Sequence, residues 1–282
     1  MNENLSVGQL LVKAQACGMP RLDAQILLLT ALERDPHDRA WLWAHDQDAV
    51  LPQTAIRWRD LCERWQAGEP VAYLVGHKEF YGLDLQVDPR VLIPRPDTET
   101  LVDWTLELIR AAQAPLHVID LGTGSGAIAL ALASQKVPGL QVTATDASAD
   151  ALAVAESNAR RLALAVRFCQ GHWLGAVPGE RFDIIVSNPP YIAEGDQHLD
   201  ALRHEPSSAL GSGPDGLSDI RTIVKQAPDH LRNGGWLLFE HGHDQSAEVR
   251  SLLRHAGFSQ VTSHTDLAGI ERCTGGQWLE QR

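Results

Sequence analysis

Four consecutive residues, Asn188-Pro189-Pro190-Tyr191, follow one serine after the apolar run Phe182 to Val186. Asn188 offers a carbonyl oxygen that accepts and an amide that donates. The prolines have no N–H, so the backbone beside them presents only carbonyl acceptors, in a nearly fixed geometry. Tyr191 adds a flat aromatic face. Such a set suits a planar group bearing an NH₂, held by acceptors and stacked on a ring. An adenine, a cytosine or a carboxamide would meet that description. The same four residues also read as an ordinary turn, so their chemistry depends on where the chain places them.

Placement favours a site. Phe182 to Val186 has the composition of a strand buried on both faces of a parallel sheet. Two prolines cannot continue such a strand, so the chain leaves the sheet at its carboxyl edge, where open α/β sheets bind ligands. A second motif meets it there. Leu116 to Asp120 reads as a strand, followed by Leu121-Gly122-Thr123-Gly124-Ser125-Gly126 and a helix from Ala127 to Ala133. Glycines at a strand-to-helix turn let the backbone approach a ligand closely. A further strand, Gln141 to Thr145, ends in Asp146, about 20 residues on, where a carboxylate can accept two ribose hydroxyls. Strand, loop, helix, strand and acid in that order predict a nucleoside site. The spacing leaves its identity open, because Gly122-x-Gly124-x-x-Ala127 also satisfies the relaxed dinucleotide fingerprint.

The remaining elements frame these two motifs. Residues 1–75 read as a small helical domain. Ser6 and Gln9 form a capping-box pattern with Leu5 and Leu10 at the staple positions, and Gly18 is a stop. Leu22, Ile26 and Leu29 share one face of a second helix, and Trp58, Leu61, Cys62 and Trp65 form a stripe on a later one. The four tryptophans here, Trp41 and Trp43 among them, are expected to fill its core. Residues 76–95 change to period two around Gly82 and predict a β-hairpin linker. Residues 96–282 follow an alternating α/β pattern. Pro96 and the acids after it open a helix. Ala149 to Leu164 is a helix and Val166 to Cys169 a third strand, with Gly171-His172-Trp173 in the loop after it. The long polar loop from Ala193 to Gly216 predicts a functional flap or lid. Leu217 to Leu231 is helical, Gly234-Gly235 breaks it, and Trp236 to Glu240 is the next strand. A helix from Gln245 to His255 and two short strands complete the chain.

Composition sets bounds. A hydrophobic content of 44% and a charged content of 21% are those of a water-soluble globular protein. The polar start after Met1 and the lack of a long apolar run predict neither a secretory leader nor a membrane segment. Cys17, Cys62, Cys169 and Cys273 are scattered, which points to the cytoplasm and away from disulfides and zinc. A net charge of −12 disfavours direct binding to nucleic acid, which needs clustered Lys and Arg.

Taken together, these motifs resemble the PrmC/HemK family, the protein-(glutamine-N5) methyltransferases acting on class I peptide chain release factors. The resemblance covers nearly the whole chain. It runs through Gly68-Glu69-Pro70 to Tyr73, Glu79 to Gly82, Val91 to Glu99, Asp120 to Ala131, Ser187 to Ile192, Glu205-Pro206, Gly213 to Leu217 and Glu240-His241-Gly242. It implies an α/β fold, a class I S-adenosylmethionine-dependent methyltransferase with a Rossmann-like seven-stranded sheet, an N-terminal α-helical bundle and a hairpin linker. Implied too is a cytoplasmic monomer that uses no metal and releases S-adenosylhomocysteine. Gly122, Thr123, Gly124, Ser125 and Gly126 would cradle the methionine part of the cofactor, Asp146 its ribose and Trp173 its adenine. Asn188 would touch the cofactor while Asn188, Pro189, Pro190 and Tyr191 grip the glutamine of a Gly-Gly-Gln loop, with Asn188, Pro189 and Tyr191 as the catalytic set. Where relatives commonly carry Asp before the tryptophan, this chain has His172, whose neutral ring can still accept from the adenine amino group.

Three other readings compete. An N6-adenine methyltransferase would use the same grip on a flipped base, but the acidic balance and only four lysines speak against it. A nicotinamide dehydrogenase would have no use for Asn188 to Tyr191, and a non-enzymatic adaptor would not need a complete grip. His241-Gly242-His243 is read as a loop pair without a third metal ligand. Gly275-Gly276-Gln277, which matches the proposed target inside this chain's own last strand, is read as coincidence.

Overall fold

The computed structural model describes residues 5–112 and 115–280. The chain divides into two compact units, Met1–His77 and Lys78–Arg282.

The first unit is built from α1 (Val7–Ala16), α2 (Arg21–Ala31), α3 (Arg39–Ala44), α4 (Pro52–Gln66) and α5 (Val71–Val75). The capping box on α1 is closed in both directions: Gln9 N donates to Ser6 Oγ at 3.3 Å and Ser6 N donates to Gln9 Oε1 at 2.9 Å. Leu10, Leu27, Leu28, Leu42, Trp58 and Leu61 form its core. Two expectations fail. On α2 the buried strip runs through Ala24, Leu27, Leu28 and Ala31, which turns Leu22 outward to 50% exposure. Trp43 is 66% exposed rather than core, because the short helix α3 points Leu42 inward and Trp43, the next residue round, outward. The Arg21 guanidinium lies 4.8 Å from the centre of the Trp43 ring.

The second unit opens with a hairpin, β1 (His77–Phe80) and β2 (Leu83–Gln86). Its two-residue turn, Tyr81-Gly82, has positive φ at both positions (52° and 74°), which matches the twist of paired strands. Then come α6 (Glu99–Ala112), β3 (His117–Leu121), α7 (Ala127–Ser134), β4 (Gln141–Asp146), α8 (Ala149–Arg161), β5 (Arg167–Gln170) and β6 (Phe182–Ser187). After the long loop follow α9 (Ser218–His230), β7 (Leu231–Glu240), α10 (Ser246–His255), β8 (Ser259–Thr265) and β9 (Glu271–Gln277).

Seven strands form one sheet in the order β5-β4-β3-β6-β7-β9-β8, parallel except for β9, which is antiparallel to both neighbours. Alternation along the central strands feeds two cores. Val118, Ile184, Val186 and Leu238 face α6 and α7. Ile119, Leu121, Ile185 and Leu237 face α9 and α10. Full burial of each such side chain contributes about 1.5–3 kcal/mol.

One boundary differs from expectation. Gly234-Gly235 does not separate α9 from β7 but lies within the strand, at a register shift against β6. A side chain on Gly235 would meet the Asp183 carbonyl at 3.0 Å, so these glycines mark a bulge with close backbone approach.

The register decides the rest. Leu121 of β3 and Phe239 of β7 flank Ser187 at the end of β6. Three neighbouring strands therefore end together at the carboxyl edge, with Glu240 following Phe239 as Asn188 follows Ser187, and Asp120 two positions earlier, beside Val186.

Candidate active site

Two cavities meet at that edge. The larger, about 250 Å³, is lined by Gly122, Gly124, Asp146, His172, Trp173, Asn188 and Pro190, and is closed from above by Pro206, Ser208 and Ala209. The smaller, about 60 Å³, is lined by Arg95, Asn188, Pro189, Tyr191 and Ile192 with Leu202 and Leu210. Asn188, Leu92 and Ala209 belong to both.

The glycine loop is shaped by backbone geometry. Gly122 N and Thr123 N both donate to the Thr145 carbonyl at 2.9 Å, which draws the loop over the end of β4. Gly122 has φ of +71°, and a Cβ there would meet the Trp173 ring at 3.1 Å, so only glycine lets the indole close this wall. Asp146 receives Gly124 N on Oδ2 and Ser148 N on Oδ1, both at 2.9 Å. Each oxygen keeps a lone pair for a ligand hydroxyl.

The loop residues divide in two. Gly122 and Gly124 face the cavity. Thr123, Ser125 and Gly126 lie behind its wall: Thr123 Oγ1 donates to Asp120 Oδ2 at 2.6 Å, the Ser125 carbonyl accepts from Asn158 Nδ2 at 3.0 Å, and Gly126 caps α7. Asp120, fully buried, also receives Ala129 N at 3.2 Å, while its Oδ1 has no partner. Burial pushes this carboxyl up to about 7, against the opposing hydrogen bonds from Thr123 and Ala129.

On the other side, Asn188 Nδ2 donates to Thr98 Oγ1 at 3.2 Å. Its amide nitrogen is thereby engaged, and Oδ1 remains as the acceptor. The Tyr191 hydroxyl donates to Glu240 Oε1 at 3.4 Å, and burial holds this phenol well above its ordinary range. Glu240 is buried, its Oε2 has no partner, and desolvation pushes its carboxyl up to about 7. The Tyr191 carbonyl accepts from Gln245 Nε2 at 3.0 Å and packs so closely on Gly216 that a Cβ there would lie 2.2 Å away.

The predicted flap is tied down as the roof of both cavities. Ile192 N donates to the Leu210 carbonyl and Ser212 N to the Ile192 carbonyl, each at 2.9 Å. Glu205, 7% exposed, accepts Ile93 N on Oε2 at 3.0 Å and pairs through Oε1 with Arg95.

Thr98, Glu240, Leu92 and Glu205 are part of this geometry although sequence reasoning gave them no role. Their nearness to Asn188 comes from strand register, which composition and spacing do not carry. The two distracting motifs are absorbed elsewhere. His241 is buried with Nε2 on Thr274 Oγ1 at 2.7 Å, and His243 is exposed. Gly275 and Gly276 pair with Leu238 and Leu237 inside the sheet. Among the described residues, no group of three or more His, Cys, Asp or Glu is arranged to hold a metal ion, and no helix is long and apolar enough to cross a membrane.

Residues 5–76 match the PrmC N-terminal domain and residues 103–208 the methyltransferase small domain. A release factor glutamine methyltransferase of Bordetella pertussis is 52% identical over 92% of this chain and 95% of its own length. Its counterpart in Pseudomonas aeruginosa is 50% identical over 92% of each chain. Among solved structures, a methyltransferase from Pyrococcus furiosus superposes with a TM-score of 0.52 at 21% identity, covering 76% of this chain and 96% of that one. The Thermus thermophilus 16S rRNA N2 G1207 methyltransferase, solved with AdoMet and guanosine, gives a TM-score of 0.54 at 19% identity over 71% of this chain and 49% of that one. Both likenesses are of fold: the sheet and its flanking helices are those of a class I S-adenosylmethionine-dependent methyltransferase.

Proposed function

The chain belongs to the release factor glutamine methyltransferase family, as an S-adenosylmethionine-dependent enzyme methylating a release-factor glutamine, and we propose that its target is the N5 amide in the Gly-Gly-Gln loop of class I factors. The observation that carries this reading is Asn188, standing as the shared wall of the two cavities with its amide nitrogen already bound to Thr98. The size of the smaller cavity supports it. At about 60 Å³ it is several times the roughly 10–15 Å³ that one water needs, room for a small side-chain group such as a carboxamide.

The larger cavity fits the cofactor on two counts. The partnerless Asp120 Oδ1 lies buried beneath the glycine loop, as an acceptor an α-ammonium would satisfy, and the Gly122–Trp173 wall offers an indole to an adenine. In this reading Gly122 and Gly124 face the methionine part, backed by Thr123, Ser125 and Gly126 behind the wall, while Asp146 takes the ribose and Trp173 the adenine. S-Adenosylmethionine supplies a methyl group already activated on a sulfonium and leaves as S-adenosylhomocysteine.

The chain's residues must make a poor nucleophile act. An amide nitrogen is delocalised into its carbonyl. Asn188 Oδ1 and the Pro189 carbonyl accept its two N–H bonds, which orients the lone pair towards the larger cavity and favours a pyramidal nitrogen as attack proceeds. Tyr191, held at its hydroxyl by Glu240 and at its carbonyl by Gln245, stacks on the amide plane. Positioning of this kind is worth effective molarities of about 10⁵–10⁸ M. The nitrogen gives up one proton on transfer, and no metal takes part. The proposal includes a cytoplasmic monomer without direct nucleic-acid contact, with residues 1–75 docking the body of the release factor. The net charge of −12 supports the exclusion of polyanions.

The test is methyl transfer from labelled S-adenosylmethionine to a purified class I release factor, to its Gly-Gly-Gln→Gly-Gly-Ala form, and to DNA. Label on the intact factor alone is expected. Equal label on both factor forms, or label on DNA, would overturn the reading.

A further inference from the structure

The turn between β8 and β9 lies at the same edge of the sheet as the amide grip. Glu240 pairs with Cys273 and Thr265 with Glu271, so residues 266–270 close the hairpin one strand beyond β7. This turn is firmly braced. Asp266, buried at its base, accepts Ala268 N at 2.8 Å and Ile270 N at 3.0 Å on Oδ1. Its own N–H donates to the Ile270 carbonyl at 2.9 Å, and its carbonyl accepts Gly269 N at 3.0 Å. Gly269 has φ of +80°, which lets the chain close so tightly. Arg272 Nε donates to Asp266 Oδ2 at 3.1 Å. Arg272 Nη2 also lies 3.3 Å from Asp97 Oδ2, one residue before the Thr98 that holds Asn188.

What this brace holds out is apolar. Leu267, Ala268, Gly269 and Ile270 are all exposed, Leu267 fully, and none carries a polar side chain. One exposed leucine needs no explanation. Four exposed apolar residues in a row, at the end of an edge strand, are a liability unless a function keeps them.

Their position indicates what covers them. Arg272, Tyr191 and Ile192 line a third cavity of about 640 Å³ at this edge, and Tyr191 and Ile192 also line the small cavity. The surface therefore runs without a break from the amide grip to the braced turn. A glutamine that enters the small cavity from a folded protein brings that protein's surface against this edge. We propose that residues 267–270 are a docking tip for the body of the protein substrate, with Leu267 seated in an apolar depression beside the glutamine loop. This rests on the release-factor reading above. The turn is already ordered, so docking costs little conformational freedom and burial of the leucine goes into affinity. The contact is the same before and during methyl transfer, so it lowers KM and leaves kcat unchanged.

The test compares full-length wild type, Leu267→Ser and Leu267→Met on an intact class I release factor. Serine removes the apolar bulk without adding charge, and methionine keeps it. Leu267→Ser is expected to raise KM for the factor by about tenfold or more, and Kd for the factor in the presence of S-adenosylhomocysteine by the same amount. Leu267→Met should restore most of both. At saturating factor kcat should not move, nor should S-adenosylhomocysteine binding or the thermal midpoint, because Leu267 is fully exposed in the free enzyme. Unchanged KM and Kd in Leu267→Ser overturn the inference. So does a fall in kcat as large as the rise in KM, or a lowered thermal midpoint, either of which gives the tip another role. A wild-type dimer that Leu267→Ser converts to monomer in sedimentation, with KM unchanged, would assign the tip to a second copy of the chain instead. A wild type that transfers no methyl to the factor would sink the proposed function, and the Kd comparison, which needs no turnover, would still decide the docking.

Discussion

The cofactor side and the substrate side of this site are built on the same device and assembled differently. Each places one fully buried carboxyl group next to the end of β6, Asp120 from β3 and Glu240 from β7. Each leaves one carboxyl oxygen without a partner. Asp120 takes its hydrogen bonds from Thr123 and Ala129, three and nine residues away on the following turn and helix. Around Glu240 the contacts are long-range: Tyr191 lies 49 residues away, and the neighbouring Asn188–Thr98 bond spans 90. The cofactor side is thus a local motif that folds on itself. Only the completed sheet creates the substrate side. The two halves should therefore fail separately when mutated.

The largest effects test that separation directly. Asn188→Ala should reduce kcat by about 10²–10³, the range for losing one preorganised transition-state contact, and leave cofactor affinity nearly unchanged. Asp146→Ala should do the reverse. It removes charge-assisted bonds to the ribose and weakens cofactor binding by about tenfold to a hundredfold, with kcat at saturating cofactor much less affected. Calorimetry beside steady-state kinetics reads both. If Asn188→Ala loses affinity as steeply as turnover, the two halves are one unit and the comparison fails.

Stability against pH sharpens it. Asp120 titrates at about 7 in the fold against 3.8 when unfolded, and Glu240 at about 7 against 4.5. In both, the folded state holds its proton more tightly. The stabilisation is complete below the unfolded value, declines as pH rises, and is gone above about 7. Across that window Asp120 accounts for about 4 kcal/mol and Glu240 for about 3 kcal/mol. Asp120→Asn and Glu240→Gln should each flatten the fall in thermal midpoint between pH 5 and pH 8, Asp120→Asn by the larger amount. Any constant offset from the new amide does not affect this slope. Saturating S-adenosylhomocysteine should reduce the pH slope of wild type through Asp120 and leave the Glu240 share in place. An equal reduction of both would show that the ligand reaches across to the substrate side.

How much of this was legible in the sequence follows the same division. The glycine loop, Asp146, Trp173 and Asn188-Pro-Pro-Tyr are contiguous strings or lie at fixed spacing, so their chemistry can be read before any fold is known. The alternation of α and β elements behind them gives the fold class, but not the strand order. Thr98 and Glu240 could be quoted only as parts of longer runs, since nothing in either run says that β7 lies beside β6 in the register that brings them to Asn188. The misread elements have local causes. Trp43 was expected in the core on hydrophobicity, but the inward side of the six-residue α3 is taken by Leu42, with Trp41 packed beside the core, and Trp43 falls on the outer side. Gly234-Gly235 was expected to break an element, but glycine serves equally where a bulged strand passes close to its neighbour.

The smallest expected effect probes the edge of the cofactor side. His172 lines the larger cavity with its ring edge-on to Trp173, centroids 6.0 Å apart at 80°. As a neutral ring it offers the adenine amino group one acceptor. His172→Asp offers a charged acceptor in its place, and charge-assisted bonds are roughly twice as strong as neutral ones. That gain is partly cancelled, because the new carboxylate stands in the same cavity as Asp146 and must be desolvated when the ligand enters. The balance should tighten S-adenosylhomocysteine binding by no more than about fivefold, under about 1 kcal/mol. Turnover at saturating cofactor should not move, because adenine recognition is the same before and during methyl transfer and uniform binding does not raise kcat. A change in kcat larger than the change in Kd would mean that the adenine end is coupled to the Asn188 grip. The wall formed by Gly122 and Trp173 would then be transmitting strain between the two halves and not merely separating them.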